Sequence, residues 1–363
     1  MDIIIFGISG DLAGKKLVPT LQKLFSDKKI PSDTRLFGFS RSIKNFENLS
    51  FAYAHVQGSY SSIEDMQKLK SILRPEAKQL FYIALPPSAS RDVLGAISAS
   101  KLVSKDDSKD MRLVLLEKPF GEGYEDTISL AKFINSSFSE GQCLKVDHYA
   151  GKKEIRNIVE HVPHGDVKKV YFEILDTATV ENRSGFYDTV GALRDVGQNH
   201  LLLMLATFFK IFREETEGNK REDVLSHLIV DTDISKYHFG QYSGYDKIET
   251  FFSIPVILAK SDGAHHDIDI ILRSGKGLNQ NHAGIRIEYA DGKQKEVMLS
   301  SGTSAYENIF LDAVEGNLDN FPSDKEVLLS WKFIEQVEEI KEKIKKTKGF
   351  YSYPIGSAAD SIL

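Results

Sequence analysis

Cysteine is almost absent from this 363-residue chain. The single one, Cys143, has no partner within the chain, which excludes a disulfide framework and fits a reducing cytosol. Long apolar runs are missing too. The longest, Leu201–Phe209, contains Thr207 and stops at Lys210, too short to span a bilayer. The N-terminus enters an apolar stretch at once (Ile3-Ile4-Ile5-Phe6), without the charged region, apolar core and cleavage site of a signal peptide. The expectation is a cytoplasmic protein with no membrane segment. The HxxxH, HExxH and CxxC spacings of metal sites do not occur, and His265-His266 falls in a polar loop that reads as exposed, so no metal is expected. Positive charge is not in excess. A net charge of -6 argues against non-specific nucleic-acid binding while leaving room for a local basic pocket. No internal repeat or low-complexity stretch is present, and the Lys-rich segment 341–348 reads as a solvated helix end.

What is there is ordinary in bulk and specific in detail. Hydrophobic content of 41% and charged content of 27% are those of a soluble globular protein, and the length allows two domains. Asp2–Phe6 is a buried-strand pattern that meets Gly7-Ile8-Ser9-Gly10-Asp11-Leu12-Ala13, after which Leu17, Leu21, Leu24 and Phe25 repeat at helical spacing. Strand, glycine turn, helix is the dinucleotide-binding order: glycines admit the backbone to a pyrophosphate and the helix N-terminus attracts it. Ser9 and Leu12 stand where G-x-G-x-x-G would place glycines, so as a bare motif it also fits a tight βα turn without a ligand.

A second strand, Arg35–Ser40, ends in Ser40-Arg41-Ser42. An Asp or Glu at this place would hold the ribose 2′-hydroxyl of NAD; Arg41, with Lys44 nearby, suits a 2′-phosphate and favours NADP, the other reading being a solvent-facing arginine. Further strands at Leu80–Leu85 and Arg112–Leu116 alternate with helical patterns at Ser61–Leu73 and Arg91–Ala99. The alternation argues for a parallel, doubly wound sheet. The second of these strands runs into Glu117-Lys118-Pro119, which can direct the Lys118 amine into a crevice or leave it as a surface lysine.

The densest chemistry lies in Val146-Asp147-His148-Tyr149-Ala150-Gly151-Lys152, between a short buried strand (Gln142–Val146) and a polar helix (Lys153–His161). His148, Tyr149 and Lys152 at such a corner can grip a phosphate or sugar phosphate, or form a solvated loop. Beyond Asp166 the texture changes. Val167–Leu175 reads as a strand and Phe186–Phe212 as a long helix carrying Asp195 and His200. These two are five residues apart, so not stacked on one α-helical face, yet able to border one cleft. Then follow β-rich segments (Ile248–Leu258, Ile268–Leu272, Ile285–Tyr289, Glu296–Leu299) and two helices (Ala305–Gly316, Lys325–Lys346). The expected architecture is an α/β N-terminal Rossmann-like, doubly wound dinucleotide-binding domain over residues 1–150, and an α+β substrate domain with a mainly antiparallel sheet over residues 151–363.

Taken together these segments resemble the glucose-6-phosphate dehydrogenase family. The matching blocks occur in family order: Gly7–Ala13, Gly38–Ser42, Phe81–Pro87, Glu117–Gly121, Val146–Lys152, Arg194–His200, Leu272–Leu278 and Ala305–Glu307. The resemblance implies NADP-dependent oxidation of glucose 6-phosphate at C1 to the 6-phospho-lactone, the first step of the oxidative pentose phosphate pathway. It implies that His200 is the general base, that Asp147 orients and stabilises its imidazole, and that Lys118 contacts substrate near the cofactor. It assigns phosphate binding to His148, Tyr149 and Lys152, sugar-hydroxyl contacts to Asp176, Asp195 and Lys276, and cofactor contacts to Gly7, Ser9, Gly10, Asp11, Leu12, Arg41, Tyr82 and Lys118.

The departures from the pattern are local. The chain is short for the family, and the clearest loss lies between Leu278 and Ala305, where relatives carry extra strands and some carry a second, structural NADP, which is not expected here. The same region builds the family's dimer interface, so a homodimer would need an interface that the shortened sheet leaves open. Asp176 stands where the family has Glu, Asn281 where it has a basic residue, and Gly14 where it has a basic residue near the cofactor. Asp176 and Asn281 motivate a second reading, an NADP-dependent dehydrogenase of another sugar or sugar phosphate. A third, from another class, is a non-catalytic NADP-binding regulatory protein.

Overall fold

The computed structural model describes all residues of Met1–Leu363 except 109–110, 163–164, 181–183, 213–219 and 260–266. His265 and His266 lie outside the described residues. The chain divides into two compact units, Met1–Lys152 with Ser301–Asp324, and Lys153–Ser300 with Lys325–Leu363.

The first unit is built on six strands: β1 (Asp2–Phe6), β2 (Arg35–Ser40), β3 (Ala52–Gln57), β4 (Gln79–Ile83), β5 (Arg112–Glu117) and β6 (Cys143–Val146). Their order is β3-β2-β1-β4-β5-β6, and every pairing is parallel. This is the doubly wound sheet the alternation implied. Every residue of β1 and of β4 is buried, as expected of strands covered on both faces. Connecting helices run over Val18–Ser26, Ile63–Ile72, Pro87–Ala99 and Tyr124–Ser137. The order reverses between β1 and β4, so the crevice of this fold opens at the carboxyl end of β1, where the glycine turn sits. Strand β3 carries no apolar run: its residues are half-buried or exposed, as suits an edge strand, which is why its sequence gave little sign of it.

Residues 301–324, which a division at residue 150 assigns to the second domain, belong in the structure to the first unit. Their helix, Ser304–Glu315, buries Tyr306, Ile309, Phe310 and Ala313 in the same cluster as Ile3, Ile5, Leu80, Tyr82 and Leu115. The rings of Phe310 and Tyr82 lie 5.4 Å apart. Buried side chains of this size contribute about 1.5–3 kcal/mol each, so the helix is part of that core rather than an ornament on it.

The second unit holds an eight-stranded mixed sheet. Its strands are β7 (Val167–Leu175), β8 (Leu228–Ile229), β9 (His238–Tyr242), β10 (Phe251–Leu258), β11 (Asp269–Gly275), β12 (His282–Tyr289), β13 (Gln294–Met298) and β14 (Tyr351–Tyr353). The order is β13-β12-β7-β11-β10-β9-β14, with β8 beside β10. The β7–β11 and β9–β14 pairings are parallel and the others antiparallel. Alternation along β7 sorts the two faces. Phe172 packs on Phe208 and Phe209 of the helix Leu202–Phe212, at 5.7 and 6.4 Å between ring centroids. Its neighbours Tyr171 and Glu173 join Arg273 and Arg286, with the Arg286 guanidinium 3.7 Å from the Tyr171 ring centre. The long helix Asp324–Lys348 completes the unit. Among the described residues no helix is long and apolar enough to cross a membrane.

Candidate functional site

In the first unit the glycine turn has the geometry its sequence requires. Gly7 takes φ +83°, and a Cβ there would stand 2.4 Å from the carbonyl oxygen of Ala84, so only glycine lets the turn pass so close to the end of β4. The Gly10 amide donates to the Gly7 carbonyl at 2.9 Å. Ser9, Gly10 and Asp11 are exposed, Leu12 is half-buried, and the helical winding that follows begins with a wide π turn at Ala13–Leu17. An open glycine turn entering a helix at the switch point fits a dinucleotide pyrophosphate.

Strand β2 delivers Arg41 to solvent, its guanidinium 5.8 Å from the centre of the Tyr60 ring. Ser40, buried beside it, donates from its hydroxyl to the carbonyl of Ser42 at 2.7 Å and lies 3.0 Å from His55 Nε2. The sequence did not single out His55 or Tyr60, because both come from or follow the unread edge strand.

Tyr82 stands in the middle of the sheet, fully buried, and its hydroxyl donates to Glu117 Oε1 at 2.5 Å. The Tyr306 phenol lies close enough to feel the charge of this carboxyl. Glu117, 7% exposed, is pushed up to about 7 by burial, with the negative charge of Asp147 adding to the rise and the Tyr82 and Lys118 contacts opposing it. Burial and the neighbouring carboxylate push both phenols up as well. The sequence had Glu117 only as the neighbour of Lys118; its partner Tyr82 lies on another strand and no local spacing connects the two. Lys118 follows at the end of β5, half-buried, joined to Pro119 by a cis peptide bond.

The cluster Asp147–Lys152 is gathered into one turn. Asp147, 3% exposed, caps it: Oδ1 accepts from the Tyr149 amide at 2.9 Å. The 3₁₀ turn His148–Gly151 then stacks its rings. His148 lies edge-on to Tyr149 at 4.9 Å and flat on Tyr306 at 5.7 Å and 9°. Lys152 Nζ sits 5.1 Å from the centre of the Tyr149 ring. Asn308 Nδ2 donates to the Gly151 carbonyl at 2.7 Å and ties the turn to the helix Ser304–Glu315. An imidazole, a phenol and an ammonium are thus held on a short, braced turn, a donor set suited to a phosphate.

In the second unit Asp176 and Lys276 meet, with Nζ 3.1 Å from Oδ2. Lys276 also lies 5.7 Å from the centre of the Tyr187 ring. Asn281 is occupied locally: its Oδ1 accepts from Thr177 N at 2.9 Å and from Thr177 Oγ1 at 3.1 Å, pinning the residue next to Asp176.

Asp195 and His200 lie on a helical stretch kinked at Gly191, where φ is +68°. From Leu193 to Leu201 the winding is π rather than α. Bonding five residues ahead adds a residue to each turn, so positions five apart approach the same face, and the separation inferred from α geometry does not hold for this pair. Asn199 fastens the stretch: its Nδ2 donates to the Asp195 carbonyl at 3.0 Å and its Oδ1 accepts from the His200 amide at 2.7 Å. His200 is 5% exposed.

Two family models match the chain: the glucose-6-phosphate dehydrogenase NAD binding domain over residues 4–51 and 42–157, and the glucose-6-phosphate dehydrogenase C-terminal domain over 160–303. The chain is 28% identical to glucose-6-phosphate 1-dehydrogenase of Cyberlindnera jadinii, covering 98% of this chain and 91% of that one, in an alignment of 462 residues that exceeds the present chain's own length. It is 28% identical to glucose-6-phosphate 1-dehydrogenase 6, cytoplasmic, of Arabidopsis thaliana over 80% of this chain and 67% of that one. Among solved structures, a glucose-6-phosphate dehydrogenase in complex with its substrate glucose-6-phosphate superposes with TM-score 0.80 at 23% identity, covering 98% of this chain and 94% of that one. That likeness establishes the fold.

Proposed function

Because the chain belongs to the glucose-6-phosphate dehydrogenase family, we propose that it oxidises the C1 hydroxyl of glucose 6-phosphate to the 6-phospho-lactone with NADP, the first step of the oxidative pentose phosphate pathway. The observation that carries the reading is the braced turn in which His148, Tyr149 and Lys152 converge under the Asp147 cap. It offers a neutral or charged imidazole, a phenol and a fixed positive charge to a phosphate dianion.

When bound, NADP supplies the acceptor for the C1 hydride. Gly7, Ser9, Gly10, Asp11 and Leu12 would hold its pyrophosphate at the turn after β1, and Arg41 its 2′-phosphate. His200 takes the proton from the C1 hydroxyl, so the oxygen's electron pair forms the lactone carbonyl, and Asp147 stabilises the resulting imidazolium. Lys118 orients the sugar, while Asp176, Asp195 and Lys276 hold its hydroxyls. Tyr82, enclosed in the sheet, would act on the cofactor only through Glu117.

Asn281 supports the second reading, a dehydrogenase of another sugar or sugar phosphate. Its side chain bonds to Thr177, at a position where the family resemblance implies a basic residue. The lone cysteine and the cytoplasmic Arabidopsis relative support a cytoplasmic location. Small sugar phosphates are the proposed partners, with a homodimer as the assembly to test.

The deciding experiment is NADPH formation by the purified protein with NADP and glucose 6-phosphate, beside unphosphorylated glucose, a panel of other sugar phosphates, and NAD. Turnover confined to glucose 6-phosphate and NADP is expected. A higher rate on another sugar phosphate defeats the first reading in favour of the second, and NADP binding without turnover on any sugar defeats both.

A further inference from the structure

Glu249 is fully buried, and no step proposed above uses it. Its surroundings are specific. Oε1 accepts from the Leu193 amide at 3.1 Å, and its own backbone carbonyl accepts from the Ala192 amide at 3.3 Å. Gly191 packs directly against this carboxylate: a Cβ at Gly191 would stand 2.4 Å from Oε1, and φ +68° already favours glycine there. Oε2 lies 3.2 Å from Nζ of Lys341, itself 3% exposed. Lys341 also contacts Glu338 at 2.7 Å, and Glu338 contacts Arg194 Nε at 3.3 Å.

These contacts form one chain of charges, Glu249–Lys341–Glu338–Arg194, whose two ends grip the same helical turn. One end holds the Leu193 amide and the other holds the Arg194 side chain. That turn opens the π segment Leu193–Leu201, which carries Asp195 and His200. A π segment is less well packed than an α-helix, and its start is where a carboxylate satisfies open amides and the positive end of the backbone dipole. A buried ion pair is weak evidence for stability, because apolar residues of similar volume often serve as well. Fixing the register of a helix that carries working side chains is the use that explains retaining it.

We propose that Glu249, whose Oε1 accepts from the Leu193 amide while Lys341 balances its charge, is a positioning residue: that acceptor, rather than the charge chain as such, fixes the start of the Asp195–His200 segment, and with it the placing of the general base. This rests on the role proposed above for His200. Among the described residues, Tyr187 and Tyr245 also lie within reach of the Glu249 charge.

The test separates positioning from folding with two double variants. Glu249→Leu with Lys341→Met removes both charges and the Leu193 acceptor while keeping volume. Glu249→Gln with Lys341→Met removes both charges but keeps an oxygen for Leu193. Both are expected to keep the wild-type melting temperature within a few degrees. The Leu/Met variant is expected to lose at least about tenfold in kcat with NADP affinity unchanged, and its 191–201 peptides to exchange amide hydrogen faster; the Gln/Met variant is expected to stay near wild type in both. Equal kcat in the two variants, or unchanged exchange over 191–201 in the Leu/Met protein, overturns the proposal. If the wild-type protein itself does not oxidise glucose 6-phosphate, the functional reading fails on its own and the exchange comparison decides the positioning role.

Discussion

Glu117 brings a carboxyl into the interior at the carboxyl end of β5, and its protonation then depends on what surrounds it. Burial and the Asp147 charge lift it from an ordinary 4.5 to about 7. A carboxyl raised in the folded state contributes stability that is complete below its unfolded value and is lost as pH rises towards the folded value. Between about pH 4.5 and pH 7 the wild-type protein should therefore lose stability relative to Glu117→Gln, which keeps an acceptor for Tyr82 and carries no charge. The difference should grow by on the order of 3 kcal/mol across that window and then level off. Denaturation of both proteins at several pH values checks this; a constant difference would mean that Glu117 is charged throughout.

Two further residues are tested by removing one charge each. Lys152→Ala takes an ammonium from the braced turn, and contacts to charged groups are worth about 1.5–3 kcal/mol, so the KM for the sugar phosphate should rise about 10- to 100-fold with little change in the KM for NADP. An unchanged sugar-phosphate KM removes Lys152 from phosphate binding. Arg41→Ala should raise the KM for NADP far more than that for NAD, since only NADP carries the 2′-phosphate; equal losses would mean that Arg41 does not read it.

At the scale of elements, the strands of the first sheet were legible because their residues are continuous apolar runs ended by glycine, proline or a charged corner. The half-exposed edge strand β3 was not, because its pattern carries neither burial nor alternation strong enough to read. Short β14 and β9, paired with each other, were missed for a related reason: three to five residues give no period. The π winding of Leu193–Leu201 was invisible too, since the sequence pattern of a helix does not distinguish bonds to the fourth residue from bonds to the fifth. The site residues were legible as types within short motifs; what they touch was not, as the bond from Tyr82 to Glu117 illustrates. The helix Ser304–Glu315 was read as a helix, but its place in the first core came only from the structure. It contributes Phe310, fully buried against Tyr82. Phe310→Ala should cost about 3–5 kcal/mol, the range for emptying a buried aromatic site, measured as a shift in the denaturation midpoint. A loss below about 1 kcal/mol would mean that the helix contributes little to that core.

For the whole molecule, the consequence is that the first unit is discontinuous in sequence. A dinucleotide-binding domain that ended near residue 150 would expose the apolar faces which Tyr306, Ile309 and Phe310 cover, and would leave the Gly151 carbonyl without the Asn308 amide that bonds it. Domains of this size keep only a small surplus of stability, and losing one packed helix face removes a comparable amount. A fragment spanning residues 1–152 should therefore unfold without a cooperative transition, as followed by near-ultraviolet circular dichroism of its tyrosines. Adding a peptide of residues 301–324 should restore cooperativity, because it returns the missing core residues without adding anything from the second unit. A fragment of residues 1–152 that unfolds cooperatively by itself, with a midpoint the peptide does not move, would show that the first core closes without that helix.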